Sequence, residues 1–490
     1  MIESPLLVNV KGFIGGHWSG ALSGRTLPVV NPATGEHLAN VPDMDANDAV
    51  RAVEAAAEAF SRDVPNLEQR RRWLSGIADR LLAHTSTLAR IITLEQGKPL
   101  KESAVEIEYS AGFFSFYATN LHHLEPEPLP EPVKSLRWTI HRRPAGVSAL
   151  ITPWNFPLAM LAKKVAPALA AGCTIVAKPA DLTPLSAIAF WALVDDDGLD
   201  VDAGRLNLVI GQPGPIGDVL CSHPSVRCIS FTGSTRVGKL LIEKTAPHIK
   251  HLSLELGGNA PFIVMDDADA EVAADALLAN KFRCAGQTCV CANRVYVHRS
   301  LEDTFVRAVV ERVSRLHVGD GTDPHTDIGP LINRAAFDKV RRHVADAVTN
   351  GARRAVGGDA PTLRENWGAF YPPTVLTSVE PEMAISREET FGPIVPISTF
   401  DSEDQVIALA NGTPHGLAAY LFTRDAARAQ RLIRRLTFGH VGLNTGMGPT
   451  PEAPFGGTKQ SGFGREGGIE GLFEFCETQT VASNSTNDRT

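Results

Sequence analysis

Residues 147–178 read VSALITPWNFPLAMLAKKVAPALAAGCTIVAK, and their pattern decides the fold class. Val147 to Thr152 is an apolar run of strand length. Pro157 to Ala171 reads as a helix, with proline near its first turn, where a missing N–H costs nothing, and Gly172 just past its end. Thr174 to Ala177 is apolar again and predicts a second buried strand. Strand-like runs recur at Leu206–Val209, Cys228–Phe231 and His251–Leu256, and helical stretches such as Ala187–Val194 and Val237–Lys244 separate most of them. Strands alternating with helices at this spacing predict an α/β fold built on a doubly wound parallel sheet. Ligands of such sheets bind beyond the carboxyl ends of the strands, where the segments PWNF, KPAD and FTGS fall.

Outward from this unit the alternation resumes. Helical patterns at Glu271–Arg283, Glu302–Leu316 and Ala335–Asn350, with strand candidates at Val295–Val297 and Leu417–Phe422, predict a second α/β domain and a ligand cleft between the two. Toward the start, Trp73, Ile77 and Leu81 beside Leu74, Ala78 and Leu82 form one apolar helical face. Glu125 to Pro132, rich in proline and acid, reads as an exposed connection before an alternating strand at Leu136–His141. The polar tail Ser483–Thr490 is expected to fray.

Composition bounds the rest. A chain of 490 residues, 43% hydrophobic and 21% charged, has room for two or three domains and a large core. A net charge of -8 argues against nucleic acid as a partner. The opening MIESPLLVNV lacks a basic region, so no secretory signal is expected. The uncharged window Pro144–Ala162 carries Pro153, Asn155 and Pro157, which break and polarise a spanning helix, so no membrane segment is expected either. Seven scattered cysteines fit a reducing, cytoplasmic setting, and no spacing completes a metal site.

Cys289, in GQTCVC, lies among small and polar residues. A catalytic thiolate there needs an electropositive niche and a partner that handles protons. Glu255, in LELGG, is an acid at the end of an apolar strand, followed by two glycines that could turn it into a cleft; otherwise it is a helix cap or a surface acid. Asn155 stands at a strand-to-helix junction and could donate to an oxyanion or cap a helix. Lys178 could meet a phosphate or ribose, or be a solvated surface lysine, and FTGSTRVG turns from strand into helix at a ready anion site. The G-x-G-x-x-G fingerprint is absent. The residues alone predict a cysteine-dependent α/β enzyme with a phosphate-bearing ligand.

PWNFP, KPAD, FTGST, LELGGNAPFIV, GQTC, EETFGP and PFGGTKQSG stand in the order seen in the aldehyde dehydrogenase superfamily, which the chain resembles from about Gly12 to Thr480. LELGGNAPFIV and KFRCAGQTCVCANR look most like its succinate-semialdehyde dehydrogenase branch. The resemblance implies a cofactor domain over 1–122 and 142–254, a catalytic domain over 255–453 and an oligomerisation arm over 123–141 and 471–486, hence a homodimer or homotetramer. It implies that Cys289 attacks the aldehyde to give a thiohemiacetal, whose oxyanion Asn155 and the cysteine N–H hold. Hydride loss to the nicotinamide then leaves a thioester, which Glu255 hydrolyses through water. Lys178 completes this catalytic set by matching. Trp154, Lys178, Asp181, Gly233, Ser234, Glu389 and Phe391 match cofactor-binding positions. Asp181 would repel a 2′-phosphate, so NAD is expected over NADP.

For the substrate, Arg283 matches an arginine that binds a carboxylate, Lys163 stands where that branch has a second arginine, and Thr450 lies in a divergent loop, GMGPTPEAPFGG. The segment GREGGIEGLFEF also departs from the branch. Succinate semialdehyde is the expected substrate, with glutarate or 2-oxoglutarate semialdehyde, or a broader aldehyde range, as alternatives. Glu255 argues against a CoA-acylating enzyme, which needs no water-activating base, and the retained site argues against a non-catalytic binding protein. Cys291, two residues from the nucleophile, is a candidate redox partner for Cys289.

Overall fold

The computed structural model describes residues 4–130, 136–195, 198–358 and 368–484. Its first sheet has eight strands. The five central ones are parallel and lie in the order Leu206–Leu208, Thr174–Lys178, Val147–Ile151, Val226–Thr232, His251–Glu255. Chain order therefore reverses direction between Val147–Ile151 and Val226–Thr232, the switch point at which open α/β sheets bind ligands. Register aligns the carboxyl ends there: Ile151 pairs with Lys178 and Phe231, and Thr232 with Glu255.

Both edges of this sheet are antiparallel and come from the far ends of the chain. Gly12–Ile14 and His17–Ser19 close one side, and Gly462–Phe463 pairs with Leu254 and Glu255 on the other. Periodicity showed neither edge, because each is two or three residues long.

The helix Ala159–Ala171 is buried on every side except at Met160, as is Leu185–Val194 except at Ala192. Helices Leu67–Ala83 and Leu100–Thr119 cover the former, so it has no solvent stripe to advertise an amphipathic period. The expected face of Leu67–Ala83 holds at Trp73, Leu74, Ile77, Ala78 and Leu81, but Leu82 is 49% exposed. One helical residue past Leu81 turns it off the packed stripe.

A second sheet runs Arg353–Val356, Thr374–Thr377, Ile394–Phe400, Ala292–His298, Ala260–Val264, Ala418–Phe422, His440–Leu443, parallel except at its first strand. A separate antiparallel sheet pairs Leu136–Pro144 with Cys476–Asn484 and with the two-residue strand Glu127–Pro128. Ser483 and Asn484, expected to fray, instead pair with Arg137 and Leu136; residues 485–490 of that tail, and 131–135 of the proline-rich connection, lie outside the described residues. Among the described residues no helix is long and apolar enough to cross a membrane, and no three His, Cys, Asp or Glu side chains gather as for a metal.

Candidate active site

A cavity of about 720 Å³ opens where the two large sheets face each other. Its wall contains Asn155, Glu255 and Cys289, the cofactor candidates Trp154, Gly233, Ser234, Glu389 and Phe391, and the substrate candidates Lys163, Arg283 and Thr450. Lys178, Asp181 and Cys291 do not line it.

The loop before the nucleophile is strained. Cys284 and Ala285 have φ of 52° and 53°, left-handed values that non-glycine residues rarely adopt, and Gly286 continues at 75°. The Cys284 N–H donates to Glu102 Oε2 at 2.7 Å, and Gln287 Nε2 to the Cys284 carbonyl at 3.0 Å. This turn brings Cys289 to the cavity, half-buried. Its N–H donates to no protein group among the described residues. Burial first, then the charge of Glu389, pushes the thiol up to about 12. The electropositive niche expected for a thiolate is thus only partly present: Lys163 lowers the value, but burial outweighs it.

Glu255 ends its strand facing the same cavity, 3% exposed, and among the described residues neither carboxylate oxygen has a hydrogen-bond partner. Burial, reinforced by nearby Glu466, holds it well above the usual carboxylate range, against Lys163, Lys164 and Arg465. It is neither a cap nor a surface acid. The two glycines after it act otherwise than expected, since neither has positive φ. A Cβ at Gly258 would stand 2.3 Å from the Cys289 carbonyl oxygen, so glycine is needed for close approach to the nucleophile's backbone.

Asn155 caps no helix, since the next one starts at Ala159. Its Nδ2 donates to the Gln287 carbonyl at 2.9 Å, leaving the second amide hydrogen toward the cavity it lines. The capping task falls to Glu106, whose Oε1 accepts from the Leu158 and Ala159 N–H groups at 2.9 and 3.0 Å. Glu106 Oε2 pairs with Lys98, whose ammonium also donates to the Asn155 carbonyl at 2.7 Å. Sequence reading missed this pair; the available signal was charge on the buried face of the helix Leu100–Thr119.

On the cofactor side, Trp154 and Phe391 meet edge to face at 5.7 Å, Phe391 held at φ 57°. Glu389 Oε1 accepts from the Gly258 N–H at 3.2 Å, and burial pushes its carboxyl up to about 7 against Lys339 and Lys281. Ser234 caps the helix Thr235–Thr245, accepting from the Val237 N–H at 3.3 Å. A Cβ at Gly233 would meet the Phe231 ring at 2.3 Å, so the backbone stays bare at this helix start. Lys178 is buried rather than solvated, donating to the Pro179 carbonyl at 2.9 Å, and burial brings it down to about 8 against the charge of Asp181. A bare capped helix start, a buried carboxylate and a buried ammonium beyond the strand ends fit a dinucleotide.

The substrate candidates differ from one another. Arg283 is exposed, its guanidinium 5.3 Å over the Phe156 ring, with no hydrogen bond or ion pair among the described residues. Lys163, 4% exposed, pairs with Glu466 Oε2 at 2.8 Å. Lys164 pairs with the other oxygen of Glu466. Glu466 lies in the divergent segment GREGGIEGLFEF, and sequence reading assigned it nothing. The Cys291 thiol donates to the Gly286 carbonyl at 3.2 Å, with Lys281 Nζ 3.7 Å away, and both cysteines are free.

Residues 18–481 match the model of the aldehyde dehydrogenase family. The chain is 46% identical to a mitochondrial succinate-semialdehyde dehydrogenase of Arabidopsis thaliana, over 99% of this chain and 91% of that one. It is 45% identical to a 3-sulfolactaldehyde dehydrogenase of Pseudomonas putida over 98% of each. The crystal structure of an oxidoreductase from Marinobacter aquaeolei superposes with a TM-score of 0.96 at 53% identity, covering 99% of this chain and all of that one.

Proposed function

The chain belongs to the aldehyde dehydrogenase family, and from that premise we propose that this NAD(P)-dependent enzyme oxidises a semialdehyde bearing a terminal anion, succinate semialdehyde first. The observation that carries this reading is the Arg283 guanidinium, exposed and unpaired among the described residues on the wall of the cavity that holds Cys289. Its five donors in a planar fork suit a carboxylate.

In this reading the Cys289 thiol gives its proton to Glu255, which passes it to solvent, as the sulfur bonds to the aldehyde carbon, and the carbonyl oxygen becomes an oxyanion held by Asn155 Nδ2 and the Cys289 N–H. The nicotinamide cofactor, held by Trp154, Lys178, Asp181, Gly233, Ser234, Glu389 and Phe391, supplies the two-electron acceptor when bound. Glu255 takes a proton from the water that attacks the resulting thioester; the C–S bond breaks, the thiol is restored and the acid leaves. A carboxylate with no partner and a raised pKa suits a base that must accept a proton. Asp181 favours NAD over NADP.

The sheet of Leu136–Pro144 and Cys476–Asn484 supports assembly as a homodimer or homotetramer, and seven free thiols suit a reducing cytoplasm. Initial rates of reduced-cofactor formation across succinate, glutarate and 2-oxoglutarate semialdehydes and uncharged aldehydes, each with NAD and NADP, test the proposal. A kcat/KM for an anionic semialdehyde about tenfold above that for butanal is expected, equivalent to about 1.4 kcal/mol. A flat profile sinks it.

A further inference from the structure

Three cations line the cavity, and they are not equivalent: Lys101 pairs with Asp327 at 2.6 Å, which leaves Lys163 and Arg283 to compare. Arg283 is exposed and free among the described residues, whereas Lys163 is 4% exposed and spent on Glu466. The Lys163 ammonium lies 2.8 Å from Glu466 Oε2 and 4.9 Å over the Phe455 ring. Lys164 takes the other oxygen of Glu466 and also donates to Ser230 Oγ at 3.0 Å. An arginine fork here could serve a carboxylate inside the protein and one on a substrate together. Lysine is a compact point charge without that geometry.

We infer that Lys163 does not read the substrate's anion but is the second counter-charge of Glu466 and, through it, a positioning residue for Glu255. The inference rests on the reading of Arg283 as the anion reader. Two lysines against one Glu466 leave a surplus positive charge beside Glu255, both of whose oxygens are unpartnered. The charged or titratable groups that face Glu255 are Glu466 and Arg465 from the C-terminal segment, Lys163 and Lys164 from the buried helix, and the Cys289 thiol. Tyr109 faces Lys163 and Glu466 from the helix Leu100–Thr119. Removing Lys163 leaves Glu466 matched by Lys164 alone, and of the surplus that favours ionised Glu255 only Arg465 remains.

The test compares Lys163→Met and Arg283→Met in the full-length enzyme with succinate semialdehyde and with butanal, using kcat/KM ratios and the pH dependence of kcat. Lys163→Met should lower kcat for both aldehydes by about tenfold, the equivalent of one pKa unit, and move the alkaline-rising limb of kcat to higher pH. The charged-to-uncharged ratio should stay within roughly threefold, the additivity expected of an uncoupled site. A ratio that falls further, or a limb that does not move, overturns the inference. Lys163→Met removes one of the two buried counter-charges of Glu466 and can fail to fold. Lys163→Arg then decides through kcat and its pH limb, since an arginine fork can itself alter the ratio: both unchanged supports the counter-charge, and a shifted limb overturns it. Arg283→Met should collapse the ratio. If it does not, the anion-reading proposal falls, while kcat and the pH limb of Lys163→Met still decide the role of Lys163.

Discussion

Glu106 and Glu255 are two buried carboxylates in one active-site region, and they are treated in opposite ways. Glu106 has both oxygens engaged, one by two helix N–H groups and one by Lys98. Glu255 has neither engaged. Burying a polar group without partners is expensive, so proteins satisfy such groups unless chemistry needs them bare. Glu106 is framework: it fixes the start of the helix Ala159–Ala171 and, through Lys98, the backbone of Asn155. In the proposed mechanism Glu255 is free to accept a proton because, among the described residues, nothing donates one to it.

The sharpest test of that division is Glu255→Gln. It should cut kcat by about 10²–10⁴, the range for a lost general base, while leaving the melting temperature unchanged or raised, because no partner is lost. A lowered melting temperature would show Glu255 to be framework after all. Glu106→Ala should do the reverse, costing about 3–5 kcal/mol in urea unfolding because Lys98 is left buried and uncompensated. Normal stability in that variant would erase the contrast.

Asn155→Ala probes the boundary between the two regions, since its backbone belongs to the framework and its amide to the chemistry. A loss of about 10²–10³ in kcat with little change in stability is expected for one missing oxyanion donor. The smallest effect concerns Glu389. With its carboxyl at about 7, ionisation as pH rises through neutrality makes it a better acceptor for ribose hydroxyls, so KM for NAD should fall across that range, and Glu389→Gln should flatten the trend. The same raised value means its protonated form favours the folded state below about 4.5, and that contribution is lost as pH rises through about 7.

Much of this was legible in the sequence. The central strands read as continuous apolar runs because both faces of a parallel sheet are covered. Cys289 stood out among small and polar residues, Glu255 at the end of an apolar strand and Asn155 at a strand-to-helix junction, and the cavity gathers all three. Other features were hidden for physical reasons. Lys163 and Lys164 look like a solvated pair in LAKKVAP, and only their shared partner, about 300 residues away, makes their burial tolerable. Lys98 and Glu106 lie only eight residues apart, and what hides them is the distant backbone they serve at Asn155, Leu158 and Ala159. The glycines after Glu255 drew notice for their flexibility, and at Gly258 the structure adds a constraint the sequence did not show, the Cys289 carbonyl 2.3 Å from where a Cβ would stand.

The pairing of Leu254 and Glu255 with Phe463 and Gly462 has a consequence for biosynthesis. The strand that ends in Glu255 leaves the ribosome with one edge bare, and its neighbour is made only after about 200 further residues, roughly 10–40 s at ordinary elongation rates. Glu466 arrives later still. The nascent chain can therefore form its nucleotide-side framework early but holds an incomplete hydrolytic centre until synthesis is almost finished. Ribosome-bound intermediates carry Cys289 and Glu255 before Gly462, Phe463 and Glu466 exist, so on the proposed mechanism a chain truncated before Gly462 should be inactive.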